Sequence, residues 1–402
     1  MSNVLLEYEK MSPTVMGILD VFTRLKDKCI CEFKLKKAKE ISSKDIIWSD
    51  IILSIRGMSS FSVFLARCAT SLNRIHISYY DDDILSLPVG YVIPKIRVGF
   101  VRKMLKYTDI ILAVNKRIGE KYSQLTKNQR FVLFNAIVDE SEIVAPRKLP
   151  QSTVKVLYAA NKGHVILFNQ YILPVLPLLL ERYAGKLSFT FIGVKPVLEL
   201  FRDKMEIKYI DSMPLKEYRN FVKNERFDIG IAPLGSDSFS ASKYYNKYIE
   251  YSLSGIVGIY SCCEPYTNIV HDRVNGFLAE NTTYGWFDTL CTAIQNFDLR
   301  LKCIEEAQFN LKESFCPDKV LSTFIGDLPE LYKYKAPTVD IIPNITLGRS
   351  IYLLFLLYDK LALLVLFWRK LGFIGMLEKV NIHIAEKHRL EERRSIVKNV
   401  IP

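Results

Sequence analysis

The sequence has little that could hold a metal ion. Its 402 residues include eight cysteines and five histidines, but no two cysteines form a CxxC pair and no histidine stands at ligand spacing from them. A tetrahedral zinc site is normally built from such pairs. The pattern therefore argues against a metal site and favours free thiols in a reducing cytosol.

Two phosphate-binding signatures are also absent. No GxGxxG occurs, which disfavours a dinucleotide-dependent oxidoreductase, and the missing P-loop disfavours an NTPase. The first ten residues, MSNVLLEYEK, carry acidic side chains and lack both a basic region and a long apolar core. We therefore predict that they are not a signal peptide.

Negative charge is in short supply, since the formal net charge is +12. Nucleic acid, an anionic membrane surface or phosphorylated substrates would each suit this excess, and so would an ordinary solvated surface. No cluster of basic and aromatic residues accompanies the charge, so we do not expect a nucleic-acid partner.

Short apolar runs alternate with amphipathic helical stretches over most of the chain. Strands are predicted near residues 4–7, 29–35, 50–55, 75–79 and 109–114, and again near 154–159, 188–192, 207–210, 228–232 and 256–260. This alternation is typical of parallel sheets in α/β proteins. We predict two Rossmann-like, doubly wound α/β domains at residues 1–150 and 151–331, with a cleft between them. A helical tail follows at 332–402.

The densest group of candidate ligand-binding residues lies near residue 250. A helix is predicted over residues 243–254, and Lys243, Lys247 and Glu250 share one of its faces. Two ammonium groups can stabilise a departing phosphate as its charge develops. The carboxylate of Glu250 can accept hydrogen bonds from two neighbouring hydroxyls, such as those of a ribose in a nucleotide. The alternative is a surface ion pair of Lys247 and Glu250, which would stabilise the helix by only about a few tenths of a kcal/mol.

Other candidates for binding the same ligand follow the ends of predicted strands. They are Lys162, Gly163, His164, Gly193, Gly235, Pro265, Tyr266 and Thr267. The first three place a cation, a flexible backbone and an imidazole at a helix start, which suits a diphosphate. A solvent loop with an incidental lysine is the alternative. The glycines would allow close approach of a ligand, and the last three residues could aim helix-start N–H groups at phosphates or a sugar.

In the first half, two strand ends carry charge. Arg56 follows one strand, and Asp81, Asp82 and Asp83 follow the next. Three adjacent carboxylates repel one another, so at least one must face solvent, a cation or a polyol. We interpret Arg56, Asp81 and Asp83 as acceptor-binding residues, which would hold the hydroxyl groups of an acceptor substrate such as a sugar. Asp82 would be a base that takes the proton of the reacting acceptor hydroxyl. An acidic loop that caps a helix is the alternative.

The region around residue 250 resembles the donor-nucleotide half of GT-B glycosyltransferases of the group 1 type. The resemblance rests on Lys247, Glu250, Gly255, Pro265, Tyr266, Asn275 and Gly276, and it extends over about residues 46–315. It implies a GT-B architecture, a nucleotide-sugar donor, no cofactor or bound metal, and transfer with retention of anomeric configuration. Family members often have a sugar-contacting glutamate eight residues before the ribose glutamate, where this chain has Ser242 beside Lys243.

The tail contains apolar runs at residues 350–377, broken by Asp359, Lys360, Arg369 and Lys370. No charge-free run reaches the length of a membrane-spanning helix, which is about 20 residues. We interpret this segment as an in-plane helix on an anionic membrane surface. A core helix packed on the protein or on a dimer partner is the alternative.

Together these features predict a bacterial-type glycosyltransferase. It would move a sugar from a nucleotide-diphosphate donor to a glycan acceptor, expected to be lipid-linked, in surface polysaccharide synthesis. We expect it in the cytoplasm, peripheral on the cytoplasmic face of the inner membrane. The alternatives are an epimerase of the same architecture and a catalytically silent scaffold at the membrane.

Overall fold

The computed structural model describes residues 1–87, 93–339 and 342–400. Of the predicted tail, residues 340, 341, 401 and 402 lie outside this part of the chain. The described residues form two parallel six-stranded sheets, each flanked by helices. The α/β class and the two doubly wound domains predicted from the sequence are confirmed.

The first domain winds around a sheet of strand order β2-β1-β3-β4-β5-β6. Its elements are β1 (Ser2–Tyr8), α1 (Pro13–Asp27), β2 (Cys31–Lys37), α2 (Ser43–Trp48), β3 (Ile51–Ile55), α3 (Ser60–Ser71), β4 (Ile75–Tyr80), α4 (Lys95–Leu105), β5 (Ile110–Ala113), α5 (Lys116–Ser123) and β6 (Arg130–Leu133). Every pairing is parallel, with Leu6 opposite Leu53 and Leu53 opposite Ile77. Strand β3 is buried along its length because helices cover both sheet faces.

The second domain has the strand order β12-β11-β10-β7-β8-β9. Its elements are β7 (Val154–Ala159), α6 (Val165–Leu167), α7 (Leu176–Tyr183), β8 (Leu187–Ile192), β9 (Glu206–Ile210), α8 (Leu215–Glu225), β10 (Ile229–Ala232), α9 (Ser238–Ala241), α10 (Asn246–Leu253), β11 (Val257–Ser261), β12 (Phe277–Ala279), α11 (Thr283–Gln295) and α12 (Phe297–Ser314). Its strands are again all parallel, so their carboxyl ends share one edge facing the first domain.

The predicted helix over residues 243–254 is wrong in its first turn. Helix α9 ends at Ala241, and α10 begins only at Asn246. Tyr244 and Tyr245, which lie between the two helices, break the helix because their rings pack on each other, with centroids 4.3 Å apart. The hydroxyl of Tyr244 also accepts a hydrogen bond from the Ala136 N–H at 3.1 Å. Lys243 therefore lies in a connection and does not share a helix face with Lys247.

After α12 the chain returns to the first domain. Helices α13 (Pro317–Asp327) and α14 (Glu330–Lys333) place Leu321, Phe324 and Leu331 in the core of the first domain. Arg130 on β6 binds the Glu330 carboxylate and donates to the Asp327 carbonyl at 2.7 Å. Residues numbered within the predicted second domain thus complete the first.

The tail forms one long helix, α15 (Ile345–Val400), interrupted by non-helical backbone at Gly372. Tyr352 and Phe355 are buried against α3 and α4, where Phe355 meets Phe100 edge-on at 5.2 Å. Two helical stretches are long and apolar enough to cross a membrane by length and composition, residues 162–183 and 345–378. The first packs in the core of the second domain, with Phe168, Ile172 and Leu176 among its buried residues.

Candidate active site

A cleft between the domains lies at the carboxyl edge of the second sheet. It has a volume of about 430 Å³ and receives residues from the turns after β7, β8 and β10 and from α8 and α10. Pro13, at the start of α1, contributes the first domain's side. Openings between two domains at the carboxyl ends of parallel strands are the usual ligand sites of such folds.

Lys247 and Glu250 face this cleft from α10. The Lys247 Nζ and a Glu250 Oε2 lie 2.5 Å apart, and the Tyr218 hydroxyl donates to the same oxygen at 3.4 Å. Burial alone would lower the pKa of Lys247, but the adjacent carboxylate outweighs it, so the pKa is raised and the ammonium stays charged. The two residues form an i, i+3 ion pair, as the surface-pair alternative predicts, yet this pair lines a cleft rather than an outer surface.

Lys243 enters the same cleft from the connection before α10. Burial lowers its pKa, which the carboxylates of Asp82 and Asp237 partly offset. Within the described ranges no carboxylate comes within 4 Å of its ammonium group. Ser242, at the position where group 1 enzymes often have a glutamate, is buried and donates to the Ser238 carbonyl at 2.8 Å. At this position Lys243, and not Ser242, lines the cleft.

His164 lies in the same cleft as Lys243 and Lys247. Burial lowers the pKa of its imidazole to about 4, and the positive charges of Lys243 and Lys247 add to the effect. The ring is therefore neutral near pH 7. The ammonium groups of Lys243 and Lys247 share this partly dry space with the neutral imidazole, so the site suits an anion with which they can pair.

The neighbouring Lys162 and Gly163 do not line the cleft, although Asn161 and His164 on either side do. Both are exposed, and a side chain added at Gly163 would meet open space. The structure therefore shows no steric need for glycine at this position. The helix start predicted here is present: the 3-10 turn Lys162–His164 begins the helical stretch that runs to Tyr183.

Gly193 lies in the cleft wall at the end of β8, in a left-handed conformation with φ of 77°. A Cβ at this residue would come within 2.5 Å of the Ala160 carbonyl oxygen. Here glycine is required by both backbone angle and space. Gly235 is buried behind the cleft, where its carbonyl accepts a weak hydrogen bond from the Cys263 thiol at 3.6 Å.

The segment Pro265, Tyr266 and Thr267 contributes a ring and no free N–H groups. The N–H groups of Tyr266 and Thr267 donate to the Cys263 carbonyl at 3.0 and 3.2 Å. They are consumed by the single 3-10 turn Tyr266–Asn268, which is too short to leave a helix start open. Tyr266 lines the cleft, Thr267 is exposed, and Pro265 is buried outside the lining.

The charged strand ends of the first domain form a second group. Arg56 contacts Asp81 and Asp82 at once, and the Thr14 hydroxyl donates to Asp81 at 2.6 Å. Burial, followed by the charge of Asp81, raises the pKa of Asp82, while Arg56 and Lys243 oppose that rise. The electrostatic coupling of Asp82 to Lys243 joins this group to the cleft. None of the three lines the cleft itself.

Asp83 is placed differently from its two neighbours. It is 2% exposed, and it contacts the Lys121 ammonium at 2.5 Å and the Leu85 N–H at 3.2 Å. It caps the short 3-10 helix Ile84–Ser86. For this one carboxylate, the capping role is what the structure shows.

No family model matches the chain, and no curated protein matches it. Among solved structures, Anabaena HepE in complex with UDP and glucose is similar with a TM-score of 0.58 and 11% identity, covering 82% of this chain and 100% of that one. Sucrose-phosphate synthase from Thermosynechococcus elongatus is similar with a TM-score of 0.58 and 8% identity, covering 83% of this chain and 99% of that one. The lipopolysaccharide outer core galactosyltransferase WaaB is similar with a TM-score of 0.54 and 12% identity, covering 82% of this chain and 99% of that one.

The chain has the GT-B fold. The GT-B architecture that the resemblance around residue 250 implied is therefore confirmed. In this GT-B fold, the cleft described above is the space between the two Rossmann-like domains. Among the residues that the structure describes, no group of three or more His, Cys, Asp or Glu could hold a metal ion.

Sequence reasoning missed three contributors to the GT-B cleft. Pro13 begins α1 just after the first strand, and Tyr218 hydrogen-bonds Glu250 from α8. Asn115 donates from the first domain to the Lys243 carbonyl at 3.1 Å, which fixes the connection that carries this lysine. Only Tyr218 had a signal, since it follows Leu215 at helical spacing and both line the cleft.

Proposed function

We propose that this chain is a glycosyltransferase that uses a nucleoside-diphosphate sugar as donor. The observation that carries the proposal is the convergence of His164, Lys243 and Lys247 in one cleft, beside the carboxylate of Glu250. The basic groups would face the diphosphate, and Glu250 would accept hydrogen bonds from the ribose hydroxyls. Similarity to a protein solved with UDP and glucose supports the same donor class.

The reaction would break the bond between the sugar's anomeric carbon and the β-phosphate oxygen, and form a bond from that carbon to an acceptor oxygen. The acceptor proton would pass to the departing phosphate, as expected for a retaining group 1 enzyme. Lys243 and Lys247 would stabilise the leaving diphosphate without a metal, because two fixed cations supply the charge. The rest of the acceleration would come from positioning.

The acceptor would enter from the first domain's side. Arg56, Asp81 and Asp82 form a polar, partly buried group electrostatically linked to Lys243. Such a group suits sugar hydroxyls, and Asp82, whose pKa is raised, could take the proton in place of the phosphate. We propose a glycan acceptor, lipid-linked, in surface polysaccharide synthesis on the cytoplasmic side of the membrane. The eight free cysteines suit such a reducing compartment.

A thermal-shift screen of UDP, GDP and CDP and their sugars tests the donor assignment. We expect one nucleotide series to raise the melting temperature, because a ligand bound only by the folded state stabilises it. Incubation of the stabilising sugar nucleotide without acceptor should leave the sugar unchanged. Appearance of an epimer would identify the epimerase alternative, and no response to any nucleotide would favour the scaffold.

A further inference from the structure

A further cavity lies at the amino edge of the first sheet, and we call it the amino-edge cavity. Its volume is about 320 Å³, and it is lined by residues at the starts of β4, β5 and β6 and by Glu330 and Tyr334 of the segment that returns from the second domain. Arg56 and Asp81 follow strands of the same sheet and lie at its opposite, carboxyl edge. The amino-edge cavity is therefore separate from the proposed donor and acceptor sites.

Arg74 brings a buried positive charge to this cavity. It directly precedes β4, lines the cavity and is only 5% exposed. Its Nη2 donates to the Ile47 carbonyl at 2.9 Å, whereas its buried Nε has no hydrogen-bond partner among the described residues. Burial lowers the pKa of Arg74, and the charge of Asp50 offsets this only in part. A guanidinium nevertheless stays protonated in proteins, so its charge needs a counter-ion.

The carboxylates that line the cavity are paired with other cations. The charged lining residues are three basic and two acidic ones, namely Arg74, Lys127, Arg130, Asp109 and Glu330. The Lys127 ammonium lies 3.6 Å from an Asp109 oxygen, and Arg130 binds the Glu330 carboxylate. The positive charge that remains uncompensated in the cavity is therefore that of Arg74.

Asp50, whose charge reaches Arg74 from outside the cavity lining, is also held by other groups. One of its oxygens receives the Lys335 ammonium at 2.8 Å and the Asn3 N–H at 2.7 Å, and the other receives the Ala336 N–H at 2.9 Å. An unpaired charge and an unpaired N–H group are both costly to bury. An anionic ligand in the cavity would compensate both.

We propose that the amino-edge cavity binds a phosphate group at Arg74, either as inorganic phosphate or as part of a small phosphate ester. Guanidinium groups match phosphate oxygens with parallel, charge-assisted hydrogen bonds. Asn73 and Asn128 also line the cavity, and their amide groups suit the hydroxyls of an ester such as a sugar phosphate. The cavity volume agrees with that of small-ligand sites, which is about 300–1,000 Å³.

A bound phosphate would hold the returning segment on the first domain. The cavity joins the strand starts of the first domain to Glu330 and Tyr334, and the Tyr334 hydroxyl donates to the Asn73 carbonyl. A ligand between these two parts contacts both only in the folded chain. Its binding should therefore stabilise the protein independently of the sugar donor.

Thermal unfolding and calorimetry of the full chain in phosphate-free buffer test the site. Potassium phosphate and glucose 1-phosphate should raise the melting temperature by about 2–4 °C, whereas potassium chloride and potassium acetate at equal ionic strength should not. Tighter binding of glucose 1-phosphate would identify an ester site, and equal or weaker binding would identify a site for free phosphate. An acetate response as large as that of phosphate would overturn the assignment to phosphate.

Variants of the cavity locate the binding. Arg74→Gln should weaken phosphate binding at least about tenfold. Lys127→Gln, which changes an exposed residue of the lining and leaves the buried core intact, should weaken it about threefold. Arg102→Gln makes the same change as Arg74→Gln at an exposed position of α4 outside the cavity, and it should bind phosphate as wild type does.

The donor cleft could also take phosphate, and a crossed pair of variants separates the two sites. Lys247→Ala should keep the phosphate response that Arg74→Gln loses, and Arg74→Gln should keep the stabilisation by nucleoside diphosphate. No response of wild type to either phosphate compound would overturn the proposal. So would full phosphate binding by Arg74→Gln or, should that variant not fold, by Lys127→Gln, because Arg74 would then serve only the Ile47 carbonyl.

Discussion

The carboxyl group of Glu7 is buried in the first domain in a way that should make stability depend on pH. Glu7 lies on β1 and is 0% exposed. The Ser62 hydroxyl donates to one of its oxygens at 3.1 Å, and the other oxygen has no partner among the described residues. Burial, reinforced by the charge of Glu9, raises its pKa from 4.5 to about 8. The folded protein therefore holds this proton at pH 7.

The sign and size of the effect follow from proton linkage. Between pH 4.5 and 8 the folded state binds one proton more than the unfolded state at this residue, so the free energy of unfolding falls as pH rises. Below pH 4.5 both states are protonated and nothing is lost. Above pH 8 the loss is complete. At 1.36 kcal/mol per pH unit it amounts to about 5 kcal/mol.

Glu7→Gln replaces the neutral acid with an amide of the same shape that does not titrate. Urea unfolding of wild type and variant at pH 5, 6, 7 and 8 isolates the contribution of Glu7, because the other titrating groups are common to both. We expect wild type to lose about 3–5 kcal/mol relative to the variant over this range. Parallel pH profiles would refute the reasoning, since they would mean that Glu7 is ionised throughout.

Three further predictions concern the cleft and the acidic strand end of the first domain. The pKa of His164 should rise from about 4 when a nucleoside diphosphate binds, because phosphate charge offsets Lys243 and Lys247; NMR titration of labelled histidine measures this, and an unchanged pKa would exclude contact. Gly193→Ala should cost about 1–2 kcal/mol and weaken nucleotide binding, as thermal unfolding and calorimetry would show; a silent change would mean the turn can relax. Asp83→Asn should lower the melting temperature with the donor KM unchanged, whereas Asp82→Asn should lower kcat; the reverse would exchange the two roles.

Much of the fold follows from hydrophobic periodicity. The runs near residues 50–55 and 154–159 are buried strands in a parallel sheet, and such strands are apolar on both faces. Each sheet nevertheless contains a sixth strand that the sequence did not predict. It is β6 at an edge of the first sheet and β12 at an edge of the second. These have four and three residues, too few for a period to emerge.

The site was predictable where chemistry follows local spacing, and not where packing at a distance decides. Lys247 and Glu250 meet because they lie three residues apart on one helix. The break between α9 and α10 depends on Tyr244 reaching Ala136, a contact across 108 residues. The roles of Asp82 and Asp83 separate for the same reason. Asp82 forms an ion pair with Arg56, whereas Asp83 forms one with Lys121. Their adjacent positions in the sequence do not reveal this difference.

The binding of nucleoside diphosphate to three variants tests the central claim most directly. Calorimetry with the nucleotide chosen by the thermal-shift screen should give at least about tenfold weaker binding, or 1.4 kcal/mol, for Lys247→Ala and for Glu250→Ala. Lys223→Ala removes the same charge from the exposed end of α8 and should bind as wild type. Wild-type affinity in both cleft variants would contradict the account, because the ion pair would then be a structural feature of α10 alone.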